Sequence, residues 1–122
     1  MIVFLFILTV HWIGDFVLQS HWMAVNKSKR WDALGLHVYV YTASLMVAAC
    51  ILGLWIGPVN SPLLASWALL NGVLHFATDA ITSRITARLW AQQRTHDFFV
   101  IIGLDQLIHA LCLGLTLMWI MS

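Results

Sequence analysis

Residues 63–82 read LLASWALLNGVLHFATDAIT. On a helix rising 1.5 Å per residue, such a stretch covers about 30 Å, the thickness of a bilayer hydrocarbon core. Its one imidazole and one carboxylate, His75 and Asp79, are four residues apart, so both lie on one helix face. Asn71 precedes His75 by one turn on that face. A helix that is apolar except for a single stripe holding an acid and a histidine is expected to turn that stripe toward protein and the rest toward lipid.

The rest of the chain supplies matching partners. Three more apolar stretches, about 1–19, 34–57 and 98–121, are each long enough to cross the same core. The first lacks a basic leading region and a small-residue cleavage site, and it carries His11 and Asp15, so it reads as a retained span. The expected fold class is all-α: one integral membrane domain, 1–122, a four-helix bundle. Composition agrees. Of 122 residues 61% are hydrophobic and only 9% are Asp, Glu, Lys or Arg, and the mean hydropathy is +0.89. A soluble domain is about a quarter charged, and a disordered chain needs low hydrophobicity; both are excluded. A net charge of +1 implies no polyanion, and no nucleic-acid partner is expected. Cys50 and Cys112 match no zinc or redox spacing and read as small core hydrophobes.

Sidedness follows from the loops. Lys27, Lys29 and Arg30 fall between the first two spans, and Arg84, Arg88 and Arg94 between the last two. The middle connection, 57–62, has no basic residue and reads as a tight turn. The positive-inside rule then makes the basic loops cytoplasmic and both termini external, in a bacterial inner membrane. The amphipathic stretch 83–94 is expected to prolong the third helix along the inner surface, with Thr95 or Asp97 capping the fourth. His21 is expected at the interface.

The first span contains His11-Trp-Ile-Gly-Asp15, the third His75-Phe-Ala-Thr-Asp79, the fourth Asp105-Gln-Leu-Ile-His109, and the second opens on His37. Because the fourth span runs opposite to the first and third, its reversed order puts all three Asp nearer the cytoplasm. The three paired His residues then lie one turn deeper, and His37 joins the shallower layer. Seven ionisable groups thus share about two helical turns of depth. Gln19, Tyr41, Asn71 and Gln106 extend the same stripes. The two hairpins, each opening on His-x-x-x-Asp, also suggest a parallel repeat about the membrane normal.

Each carboxylate at mid-membrane costs about 2.5–3.5 kcal/mol on insertion scales, and no Lys or Arg lies within the spans to offset it. Structural zinc contributes about 10–16 kcal/mol in small peptides. Imidazole with carboxylate suits Zn²⁺, Mn²⁺ or Fe²⁺. The expected ligands are His11, Asp15, His37, His75, Asp79, Asp105 and His109. They outnumber the four of one zinc, so two or more ions bridged by Asp are expected. A His–Asp proton or ion relay and a purely structural hydrogen-bond network are the competing readings.

Taken together, His11-x-x-x-Asp15-Phe16-x-x-Gln19, Trp22, Asn26-Lys27, His37, His75-x-x-x-Asp79 and Asp105-Gln106-x-x-His109 resemble a family of small bacterial and phage membrane proteins, domain of unknown function 3307, over nearly the whole chain. That family name implies no activity. More distantly, the His-x-x-x-Asp pairs are similar to those of membrane-bound metal-dependent hydrolases and of the zinc phospholipase C and P1-type nuclease group. This resemblance implies metal-dependent hydrolysis, although those enzymes' N-terminal Trp ligand has no counterpart here and Asp105/His109 runs in reversed order.

The function expected is a metal-dependent intramembrane hydrolase acting on a phosphate ester or lipid-linked substrate from the cytoplasmic leaflet. Asp15, Asp79 or Asp105 would serve as catalytic carboxylates. Gln19, Asn71, Gln106 and Tyr41 would orient water, substrate or ligands. Lys27, Lys29, Arg30, Arg84 and Arg88 would meet an anion or lipid headgroup. The alternatives are a non-catalytic, metal-stabilised module that oligomerises or partners another protein, and an ion or metal transporter.

Overall fold

A computed structural model describes residues 1–57 and 61–122. Pro58, Val59 and Asn60, the centre of the turn expected at 57–62, lie outside the described residues. Among the described residues the chain is all α, without strands: α1 (Ile2–Trp12), a π-helical turn (Ile13–Val17), α2 (His21–Asn26), α3 (Trp31–Ile56), α4 (Ser61–Ala91) and α5 (Thr95–Met121).

The stretch 1–19 is not one regular helix. After Trp12 the backbone widens, and the Leu18 N–H donates to the Ile13 carbonyl at 2.9 Å, five residues back. Such π turns occur mostly as single insertions, often at functional sites. Here the turn contains Gly14 and Asp15. A Cβ on Gly14 would collide with the Ser44 hydroxyl and meet the Tyr41 ring at 3.3 Å, so glycine lets this turn approach α3. α2 was not expected. Ser20 caps it by accepting from the Met23 N–H at 3.2 Å, a signal legible in Ser20-His21-Trp22-Met23.

The expected extension of the third span is present, since α4 runs unbroken for 31 residues through the stretch 83–91. It ends where Gln93 takes a left-handed conformation (φ 57°) and the Arg94 N–H reaches the Leu89 carbonyl at 3.0 Å. Neither Thr95 nor Asp97 caps α5. Arg94 occupies the cap position without a side-chain cap bond, and Asp97 instead accepts from the Arg94 guanidinium at 2.7–2.8 Å.

α4 packs between α3 and α5, and α1 packs on α3 and α5. α3 and α4 approach closely because Gly72 has no side chain to meet Thr42. The apolar core includes Ile7, Leu45, Leu52, Leu64, Trp67, Leu113 and Leu117, and it fills the half of the molecule near the α3–α4 connection. Buried polar residues fill the opposite half: His11, Asp15, His37, His75, Asp79 and His109. The outside is apolar along whole helix faces, as at Leu104, Leu107, Leu111, Leu115 and Met118 on α5. Cys50 is exposed and Cys112 half-buried, and both are free thiols, so Cys50 is not the core hydrophobe expected. Two helical segments, Trp31–Trp55 and Thr95–Met121, are long and apolar enough to cross a membrane, and the Ile2–Val17 segment is shorter.

Candidate metal centre

The centre forms where α3 and α4 meet the π turn. His37 projects from the second turn of α3, His75 and Asp79 from one face of α4, and Asp15 from the π turn. The Nε2 atoms of His37 and His75 face each other at 3.0 Å. Asp15 Oδ1 lies 3.1 Å from the first and 3.5 Å from the second. Asp79 Oδ2 lies 3.2 and 3.6 Å from the same two atoms. Tetrahedral ligands at about 2.0–2.1 Å from a zinc ion are separated by roughly 3.3–3.5 Å. The observed spacings bracket that value, so these four side chains fit a four-coordinate divalent ion. All four are buried, His37 and His75 completely. The expected separation into an Asp layer and a deeper His layer is therefore compressed into one knot.

Two further groupings adjoin it. Asp79, Asp105 and His109 each offer one ligand atom within 4.8 Å of the others, and so do His11, Asp15 and His109. His11 differs from the rest because both its nitrogens are engaged. Nδ1 lies 3.1 Å from the Tyr41 hydroxyl and Nε2 3.0 Å from Gln106 Oε1. One donor order satisfies the whole chain. The Tyr41 O–H donates to Nδ1, the Nε2–H donates to Oε1, and the Gln106 amide donates to Asp15 at 2.8 Å and to Asp105 at 3.0 Å. Gln106 and His11 thus hold two carboxylates in place rather than adding a free ligand. Tyr41 also orients His75, because their rings stack at 3.8 Å and 13°. Thr82 completes the support of Asp105, its hydroxyl donating at 2.6 Å.

One cation enters the cluster, contrary to the expectation that no basic residue offsets its carboxylates. Although no Lys or Arg lies within the apolar stretches, Lys27 reaches in from the end of α2, donates to Asp79 Oδ2 at 2.8 Å and comes within 3.5 Å of His37 Nε2. The tight α2 turn aims this lysine inward, and that geometry had no signal in hydropathy. Lys29 is exposed. Arg30 pairs with Asp32 at 2.7 Å, Arg84 stacks over the Trp31 ring at 4.2 Å, and Arg88 is exposed.

A cavity of about 800 Å³ leads to the centre. Asp15, Asp79, Asp105, Gln106, Gln19 and Lys27 line its polar part, and Phe16, Val25, Trp90, Phe98, Phe99 and Ile102 its apolar walls. Lys29 also lines it, whereas Arg30, Arg84 and Arg88 do not. Gln19 Oε1 and Ser83 Oγ, both on this wall, are buried without a hydrogen-bond partner among the described residues. Asn71 is placed elsewhere: it donates to the Trp67 carbonyl and the Thr116 hydroxyl, each at 2.9 Å, and ties α4 to α5 beyond the centre.

The profile of one protein family, described as a protein of unknown function (DUF3307), matches residues 3–122. No curated protein and no solved structure matches the chain.

Proposed function

The chain belongs to the DUF3307 family, whose description assigns no activity, and on the chemistry of the site itself we propose that it is a metal-dependent intramembrane hydrolase acting on a phosphate ester or lipid-linked substrate. The observation that carries this reading is the cavity. It ends on Asp15, Asp79 and Asp105, three carboxylates of the ligand set, so the centre is reachable by water and substrate from one side. A purely structural ion needs no such approach.

The membrane setting is supported by the distribution of polarity: Asp15 and Asp79 are buried inside, and leucines and aromatics face outward. In this reading α1 with its π turn, α3, α4 and α5 form the four-helix bundle, with both termini outside and the basic loops cytoplasmic in a bacterial inner membrane. The cavity then opens on the cytoplasmic side, where Lys27 and Lys29 meet the head of the substrate while Trp90, Phe98 and Phe99 border its apolar part. A resident divalent ion, zinc by the ligand set, would supply Lewis acidity for activating water and polarising a phosphoryl oxygen. Asp105, oriented by Thr82 and Gln106, is placed to take the proton from the attacking water. Lys27 is placed to release Asp79 and bind the phosphate.

The test is hydrolysis by the detergent-solubilised intact protein, using p-nitrophenyl phosphate, bis-p-nitrophenyl phosphate and a short-chain lipid phosphate. We expect turnover of at least one ester that requires divalent metal and is lost in Asp105→Asn. Absence of turnover on all three by the metal-loaded protein would contradict the assignment. One observation favours a second reading, a non-catalytic metal-stabilised module: Asp15, His37, His75 and Asp79 are all buried and supply four ligand atoms, the number that closes a structural zinc site.

A further inference from the structure

Building on the hydrolase reading, we propose that the cluster contains two cation positions of different kind that share Asp79. One is closed and lies among Asp15, His37, His75 and Asp79. The other is open toward the cavity and is formed by Asp79, Asp105 and His109.

The two carboxylate oxygens of Asp79 divide the positions between them. Oδ2 faces His37 and His75, at 3.2 and 3.6 Å, whereas Oδ1 faces His109 Nε2 at 3.7 Å. A carboxylate with one oxygen toward each of two ligand sets is a bridging ligand. His109 supplies an independent sign. It is 2% exposed, and neither ring nitrogen has a hydrogen-bond partner among the described residues. Buried imidazole without a partner is destabilising, and a ligand bond satisfies it. Asp105 Oδ2 lies 3.3 Å from the other ring nitrogen, Nδ1, and one oxygen of Asp105 falls within 4.8 Å of the ligand atoms that Asp79 and His109 offer. His11, whose nitrogens are both hydrogen-bonded, would have to give up one of those bonds to form the competing set with Asp15 and His109.

Ligand number assigns the roles. Four protein ligands close a zinc coordination shell, and three leave a place for water or substrate. Asp15, Asp79 and Asp105 all line the cavity, whereas His37, His75 and His109 do not, so the missing fourth ligand makes the three-ligand position the one that takes water or substrate from it. Charge assigns the substrate class. Three carboxylates and the Lys27 ammonium leave two negative charges. One divalent ion cancels them and gives the cavity no attraction for an anion. A second ion leaves the centre two charges positive, matched to a phosphate ester and repelling a cationic headgroup. The inner end of a cavity walled by aspartates thus becomes an anion site only when both positions are filled.

The test is a Co²⁺ titration of the intact, chelator-stripped protein in detergent, read by bound metal and by visible absorption. We expect two equivalents per chain: the first with the intense band of tetrahedral cobalt, the second with a weaker one. His109→Ala is expected to bind one equivalent and keep the intense band. His37→Ala is expected to lose that band. Saturation of the wild-type chain at one equivalent would overturn the proposal, as would loss of all binding in a His109→Ala protein whose helical circular dichroism is native. Should His109→Ala fail to fold, the wild-type stoichiometry and its two bands still decide. Two equivalents without turnover on any ester would remove the hydrolase reading and leave the two positions standing. One equivalent with turnover would do the reverse.

Discussion

Gln106 joins three members of the cluster, touching His11, Asp15 and Asp105 through one amide. Replacing it by Leu leaves buried acceptors without a donor, each costing about 1–3 kcal/mol. Gln106→Leu is therefore expected to lower the thermal unfolding midpoint of the detergent-solubilised protein more than Gln19→Leu, because Gln19 Oε1 has no partner to lose. Lys27 gives a sharper case. Lys27→Met removes a charge-assisted bond to Asp79, worth about 1.5–3 kcal/mol, so the chelator-stripped protein should lose stability. Addition of Zn²⁺ should recover it, because the ion replaces the missing positive charge. The carboxylates and imidazoles were legible in the sequence, since each interrupts an apolar run at helical spacing. Lys27 was not: its role depends on a six-residue helix turning the loop back inward. Nor could spacing tell that His11 is hydrogen-bonded at both nitrogens while His109 is at neither.

At the scale of elements, two glycines set the distances on which the centre depends. Gly14 lets the π turn reach Ser44 and Tyr41, and Gly72 lets α4 reach Thr42. Added methyl groups in well-packed sites cost about 1–3 kcal/mol. Gly72→Ala is expected to destabilise by that order and to be partly rescued by Thr42→Ala, whereas Gly103→Ala, whose Cβ would meet nothing within 4 Å, should be tolerated. Guanidinium-free thermal melts of the three proteins check this order. The four long apolar stretches announced α1, α3, α4 and α5, and the joining of 83–91 to the third of them was visible as continued amphipathic spacing. The π turn was hidden because its residues, Ile-Gly-Asp-Phe-Val, satisfy α and π spacing equally. The end of α4 was hidden because Gln93, rather than glycine, takes the left-handed conformation.

At the scale of the whole molecule, an apolar core fills one half and a buried His–Asp cluster the other, the outer helix faces are largely apolar, and a cavity reaches the cluster from the side of the loop bearing Lys27 and Lys29. Sidedness is open to a direct check: alkaline phosphatase fused to the C-terminus should be active in a bacterial inner membrane, and green fluorescent protein at the same place dark. The opposite pair of results would reverse the topology and place the cavity mouth outside. The central claim, however, is that the enclosed His and Asp side chains form a metal centre and not merely a salt-bridged core. Metal content decides it most directly, measured by plasma mass spectrometry on the intact protein purified from membranes without chelator. Stoichiometric divalent transition metal is expected, and it is expected to be lost in the doubly substituted His37→Ala, His75→Ala protein. A native, folded chain carrying no transition metal, and binding none when Zn²⁺ is supplied, would contradict it.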